Sequence, residues 1–205
     1  MKNKMIYVIL VTTMAAQTAL GEVKLSKDVF RKVPYSSQYS EDGSLIRSVD
    51  YRSVNDLIPQ LESKFSNILN GRSLEDRNES HITVITPPEG KTGFLPRSIG
   101  IDKVLPTSEM INIYKGSLQE TSFDVLCVGM QRNAKGNIVF YLVVESEDIF
   151  EIRKEIADIV SVEDPTIPFR PVGNYYPHIT IGYVGGDVHG VSKGLETCVA
   201  DIALH

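Results

Sequence analysis

The sequence predicts an α+β fold built on antiparallel strands, and three observations predict it. Two β-branched runs are sharply punctuated: His81 to Thr86 stops at Pro87-Pro88, and His178 to Val184 follows a proline-rich loop from Asp164 to Pro177. Phe123 to Gln131 and Ile138 to Val144 flank the turn Asn133-Ala134-Lys135-Gly136 in the manner of an antiparallel hairpin. Two further segments repeat their apolar residues at helical spacing, which places helices beside those strands.

Along the chain, residues 1–21 stand apart. MKNK supplies two lysines, MIYVILVTTMAAQTA an apolar stretch, and Ala19-Leu20-Gly21 small residues before a cleavage point at Glu22. This predicts a secretory signal peptide. The run is short for a membrane span and is interrupted by Thr12, Thr13, Gln17 and Thr18, so no membrane insertion is expected once it is removed. The expected location is secreted or periplasmic.

Residues 22–52 are polar, carry Pro34 and Gly43, and read as an N-terminal arm with one short strand at most. The remainder, 53–205, is long enough for one domain with its own core, and a monomer is expected. Hydrophobic residues at 42% and charged residues at 23% are those of an ordinary globular protein, so no disordered region is required.

Leu57, Ile58, Leu61, Phe65, Ile68 and Leu69 predict one amphipathic helix ended by Gly71. The stretch from Pro87 to Ser108 reads mostly as loop, with Lys91, Arg97 and Lys103 as solvated surface charges. Ser146 can cap a second helix whose Ile149, Ile152, Ile156 and Ile159 form one stripe. A last β-like segment surrounds Cys198 to Leu204.

The formal charge is −5, and removing Lys2 and Lys4 takes it to about −7. An acidic chain is a poor partner for duplex DNA, although a local basic pocket can still hold a phosphate. In an oxidising compartment Cys127 and Cys198 can form a disulfide or stay as two buried thiols, and spacing does not choose between them. Neither has a His or other base beside it in sequence, which disfavours a catalytic thiol.

The tripeptide His-Ile-Thr occurs twice, in SHITV at 80–84 and YPHITI at 176–181. With 11 Thr and 4 His in the chain, two His-x-Thr coincidences would arise roughly once or twice in a hundred such sequences. In a strand, His81 and Thr83 face one side while Ile82 and Val84 face the other, and the same alternation separates His178 and Thr180 from Ile179 and Ile181. The aliphatic residues have a core to enter. Each His-Thr pair is then free to face a shared cleft.

Two imidazoles and two hydroxyls suit a phosphodiester. One neutral His accepts a proton from the attacking oxygen, the other, protonated, donates to the leaving oxygen, and the hydroxyls hold the non-bridging oxygens. No cofactor or metal is required.

The pair of His-x-Thr-hydrophobic motifs, HITV at 81–84 and HITI at 178–181, resembles the two-histidine (2H) phosphoesterase superfamily, over roughly Ser53 to Val184. The resemblance implies a bilobal fold: two pseudo-symmetric lobes of antiparallel sheet with packed helices around a central groove. It also implies metal-independent chemistry at RNA-type 2′,3′-cyclic phosphates, 2′-5′ linkages or RNA 3′ ends, on a small nucleotide or short RNA. His81 and His178 would be the acid-base pair and Thr83 and Thr180 the phosphate ligands. Which His is the base is left open.

Members of the family it resembles often place an aromatic residue near the groove, and Tyr175, Tyr176 and Tyr183 are candidates for base stacking, with packing the alternative reading for each. Phe169 and Arg170 are weaker candidates, and His189 and His205 are expected to be exposed.

A nucleotide- or phosphate-binding module using the same groove is the rival reading, weakened by the intact acid-base pair. A metallohydrolase lacks close ligand spacing. No G-x-S-x-G or G-x-G-x-x-G context supports a serine hydrolase or dinucleotide enzyme.

Overall fold

In the computed structural model the repeated isoleucines meet. Ile82 and Ile179 are Cα partners on adjacent antiparallel strands, and both are fully buried. The structure describes residues 21–36, 44–86, 89, 104–167, 169, 170, 173 and 175–205. Residues 1–20 of the expected signal segment, and Lys91, Arg97 and Lys103, lie outside them.

Seven strands form one sheet: β1 (Glu22–Leu25), β2 (Leu45–Ser48), β3 (His81–Ile85), β4 (Asp124–Arg132), β5 (Ile138–Glu145), β6 (His178–Val184) and β7 (Cys198–Leu204). Their order is β1-β7-β4-β5-β6-β3-β2. All neighbours are antiparallel except β1 and β7, which run parallel, so the all-antiparallel expectation fails at that edge. Residues 22–48, read from sequence mainly as an arm, supply both edge strands.

The hairpin forms as predicted by its turn, with Asn133 Oδ1 accepting from the backbone of Lys135 and Asn137 and with Gly136 at φ 81°. The helix predicted over 57–69 instead forms as two, α2 (Ile58–Lys64) and α3 (Ser66–Leu69), preceded by a short α1 (Tyr51–Asn55). Pro59 enforces a restart in the first turn of α2. The left-handed cap is Asn70 at φ 52°, with Gly71 following at φ 76°.

Helix α4 (Thr107–Glu120) was not expected from the sequence. Its buried stripe is only Met110, Tyr114 and Leu118, Gly116 interrupts it, and Pro106 at its N-cap offers no side-chain hydrogen bond. Helix α5 (Glu147–Glu163) starts where Ser146 Oγ accepts from the Ile149 backbone N–H. Its buried stripe is Ile149, Arg153, Ile156 and Val160, while Ile152 and Ile159 are half-buried.

Strand β5 is buried along both faces, and its alternation separates two environments. Ile138, Phe140, Leu142 and Val144 join the main core with Ile82, Ile179, the helices and the β3 aliphatics. Val139, Tyr141 and Val143 face the other way and cluster with Cys127 and Val188, with Tyr183, Val191 and Cys198 packed against them. This second face carries the histidines. Tyr141 lies over Gly129, its cross-strand partner on β4, where a Cβ would come within 2.4 Å of the ring.

Gly129→Ala is expected to lower unfolding stability by about 1–3 kcal/mol, because the ring of a fully buried Tyr141 has no room to retreat. Urea titration with the disulfide intact measures it.

Candidate active site

Residues directly opposite one another on an antiparallel pair project to the same face. With Ile82 opposite Ile179, the register sets His81 across from Thr180 and Thr83 across from His178. All four side chains therefore stand on the face away from the main core, and each is half-buried. The two His-Thr pairs, 97 positions apart along the chain, become one patch four residues across.

On β5 the register places Tyr141 beside Thr180 and Val143 beside His178. Tyr141 meets the His178 ring edge-on at 5.7 Å between centroids. The patch is walled by the segment 185–197, which Val188 anchors in the second cluster and which Gln131 Nε2 ties by donating to the Ser192 carbonyl at 2.9 Å. A disulfide between Cys127 and Cys198, with Cα atoms 5.8 Å apart, closes its far end.

The two imidazoles keep different company. His178 Nδ1 donates to the Tyr176 carbonyl at 2.8 Å, since a carbonyl can only accept. Its Nε2 lies 2.9 Å from Lys193 Nζ and accepts from it. These contacts fix His178 as the neutral tautomer with its lone pair on Nε2. Burial, then the Lys193 ammonium, push its pKa down to about 3, with His81 adding a smaller push and the Tyr176 carbonyl and Asp187 opposing.

His81 Nδ1 instead lies 2.8 Å from Glu79 Oε1, in a pair whose side chains are each 10% exposed. His81 Nδ1 thus faces a carboxylate, whereas His178 Nε2 faces an ammonium.

Strand pairing explains how Glu79 arrives there. The chain pairs with β6 at Ile82 and again at Glu75, which exchanges both backbone hydrogen bonds with Tyr183. Seven steps from 75 to 82 run against four from 179 to 183, so residues 76–80 bulge outward, with Asn78 left-handed at φ 56°. The bulge brings Glu79 to His81 and Arg77 to Asp187.

Lys193, 4% exposed, is also 3.8 Å from Asp187 Oδ1 and 5.2 Å above the Tyr141 ring. Burial pushes its ammonium down from the ordinary value while Asp187 pulls it up. His189, 76% exposed, lies 3.8 Å from the same carboxylate.

The three candidate tyrosines separate. Tyr175 does not reach the groove: Arg153 covers its ring at 3.9 Å, Phe150 meets its edge, and its phenol, pushed up by burial, donates to the Thr83 carbonyl at 2.8 Å. Arg153 donates to the neighbouring Val84 carbonyl, pairs with Glu89 at 2.9 Å and lies over Phe169 as well. Tyr175, Arg153 and Phe169 thus prop β3 where it diverges from β6. Tyr183 packs into the second cluster, and half-buried Tyr176 contributes the carbonyl that holds His178.

Glu79, Lys193, Tyr141 and Arg153 were not singled out from the sequence. Only Glu79 carried a local signal, lying two residues before its His. Among the described residues no cluster of three or more His, Cys, Asp or Glu could hold a metal ion, and no helix is long and apolar enough to cross a membrane.

A family model described as "Swiss Army Knife, 2H phosphoesterase domain" matches residues 50–189, which contain both tripeptides and Glu79. The chain belongs to the 2H phosphoesterases. No curated protein and no solved structure matches it. The matched region ends at residue 189, so it takes in the start of the wall but not Lys193 or Cys198.

The depressed His178 pKa makes stability pH-dependent. Between about pH 6.5, where an unfolded His titrates, and about pH 3, the unfolded chain binds a proton that the folded chain refuses. This contribution is complete above pH 6.5 and is lost as pH falls. Denaturant titrations from pH 7 to pH 4 should show a steeper loss of stability for the wild type than for His178→Asn.

Proposed function

We propose that this chain is an exported, metal-independent phosphodiesterase acting on RNA-type phosphodiesters, such as a 2′,3′-cyclic phosphate, a 2′-5′ linkage or an RNA 3′ end. The observation that carries this reading is the register that sets His81, Thr83, His178 and Thr180 on one face around the Ile82–Ile179 pair. The domain divides, in this reading, into two halves about that local twofold with the groove between them.

The difference in surroundings supports a direction for the reaction. His178, neutral with its lone pair on Nε2, is the base; His81, with Glu79 at Nδ1, is the acid. For a cyclic phosphate, His178 Nε2 takes a proton from the attacking water as the new O–P bond forms. The opposite P–O bond breaks, and the leaving ribose oxygen takes the proton from His81 Nε2, giving a phosphomonoester. Thr83 and Thr180 hydroxyls donate to the non-bridging oxygens as charge accumulates. The two imidazoles then exchange protons with solvent to reset.

Tyr176 and Tyr183 are the remaining candidates for stacking a base. The Cys127–Cys198 disulfide supports an oxidising, exported location, and the acidic balance supports a small nucleotide or short RNA over duplex DNA. A second reading, a phosphate-binding module, is favoured by one observation: Lys193 occupies the His178 lone pair in the free chain.

The mature chain should hydrolyse a member of a panel of cyclic, 2′-5′ and short RNA substrates in EDTA. His81→Ala and His178→Ala should each lower kcat by about 10²–10⁴ while the circular dichroism spectrum is unchanged. Full activity in either variant refutes the paired roles, and an inactive wild type that still binds nucleotide supports the binding module.

A further inference from the structure

The base proposed above is already engaged, because Lys193 Nζ sits on the atom that must receive the proton. A base whose lone pair holds an ammonium cannot also accept from water. Either Lys193 moves or His178 is idle.

Lys193 has a place to go. Its side chain is only 4% exposed, and its ammonium has a nitrogen lone pair, a carboxylate at 3.8 Å and an aromatic face at 5.2 Å as its neighbours. The carboxylate is shared, since Asp187 also pairs with Arg77 and has His189 within 3.8 Å. Arg77, Lys193 and Asp187 together leave one net positive charge on the His178 side of the patch. That excess matches the single negative charge of a phosphodiester.

We propose that Lys193 is a third ligand for the phosphoryl group, its ammonium passing from His178 Nε2 to a non-bridging oxygen when the anion enters, so that the base is freed only in the complex. This rests on the reading of the groove as a phosphoryl site. Lys193 lies beyond the family-matched residues, and the wall that carries it is pinned by Val188, the Gln131–Ser192 hydrogen bond and the disulfide, which leaves its side chain as the moving part. The exchange costs little charge separation, because the ammonium stays near Asp187 and over Tyr141.

The test uses the disulfide-intact mature chain and inorganic phosphate. Calorimetry should give wild-type binding that weakens about tenfold or more in Lys193→Met, with KM for the active substrate rising in parallel. A Lys193 that only orients His178 would lower kcat and leave phosphate affinity unchanged, which overturns the proposal.

If Lys193→Met fails to fold, the wild type alone decides. The Lys193 ammonium and His178 Nε2 nitrogen resonances should both shift on saturation with phosphate. An active wild type in which neither moves overturns the Lys193 role and spares the enzyme reading. A wild type that neither binds phosphate nor turns over any substrate overturns both.

Discussion

An antiparallel strand pair has a local twofold axis, and here that axis passes between Ile82 and Ile179. Once two His-Ile-Thr segments pair through their central residues, each His is set across from the other strand's Thr without any further device. The isoleucines are fully buried in the main core, so a one-residue slip of either strand would drive its histidine into apolar packing and expose its isoleucine. Core burial on one face thus specifies the geometry of the other. The single Cα pairing between β3 and β6 is all the direct ladder these strands share, which explains the props around it. Tyr175 and Arg153 donate to the Thr83 and Val84 carbonyls.

The twofold stops at the strand pair. Around His81 the chain supplies a carboxylate from the 76–80 bulge; around His178 it supplies an ammonium from the wall at 185–197. Identical tripeptides therefore present different imidazoles, and that difference supports one direction of proton flow through a phosphoryl site. The asymmetry is built from two different segments, one anchored by the Glu75–Tyr183 bridge and the other by the Cys127–Cys198 disulfide.

The inner strands, the hairpin and helix α5 were legible in the sequence because each has strong periodicity and a local boundary signal, such as Ser146 or Pro87-Pro88. The His-Thr patch was legible for the same reason, since alternation in a strand is a short-range property. Helix α4 was not, because three buried residues and an uncapped N-terminus leave a weak pattern. The edge strands were hidden for a different reason: β1 and β2 are four residues each, and β1 is held by a parallel partner nearly 180 positions away. Lys193 and Tyr141 illustrate the general limit. A lysine in a Gly- and Ser-bearing loop reads as solvated, and only long-range folding shows it buried against a histidine 15 residues earlier.

The central claim is that two imidazoles act on opposite sides of one phosphorus. A crystal structure of the mature chain with vanadate and a nucleoside tests it most directly. The account predicts one vanadium centre between His81 Nε2 and His178 Nε2, with Thr83 and Thr180 hydroxyls on its equatorial oxygens. An oxyanion touching only one of the two histidines, or seated elsewhere on the sheet, would contradict it.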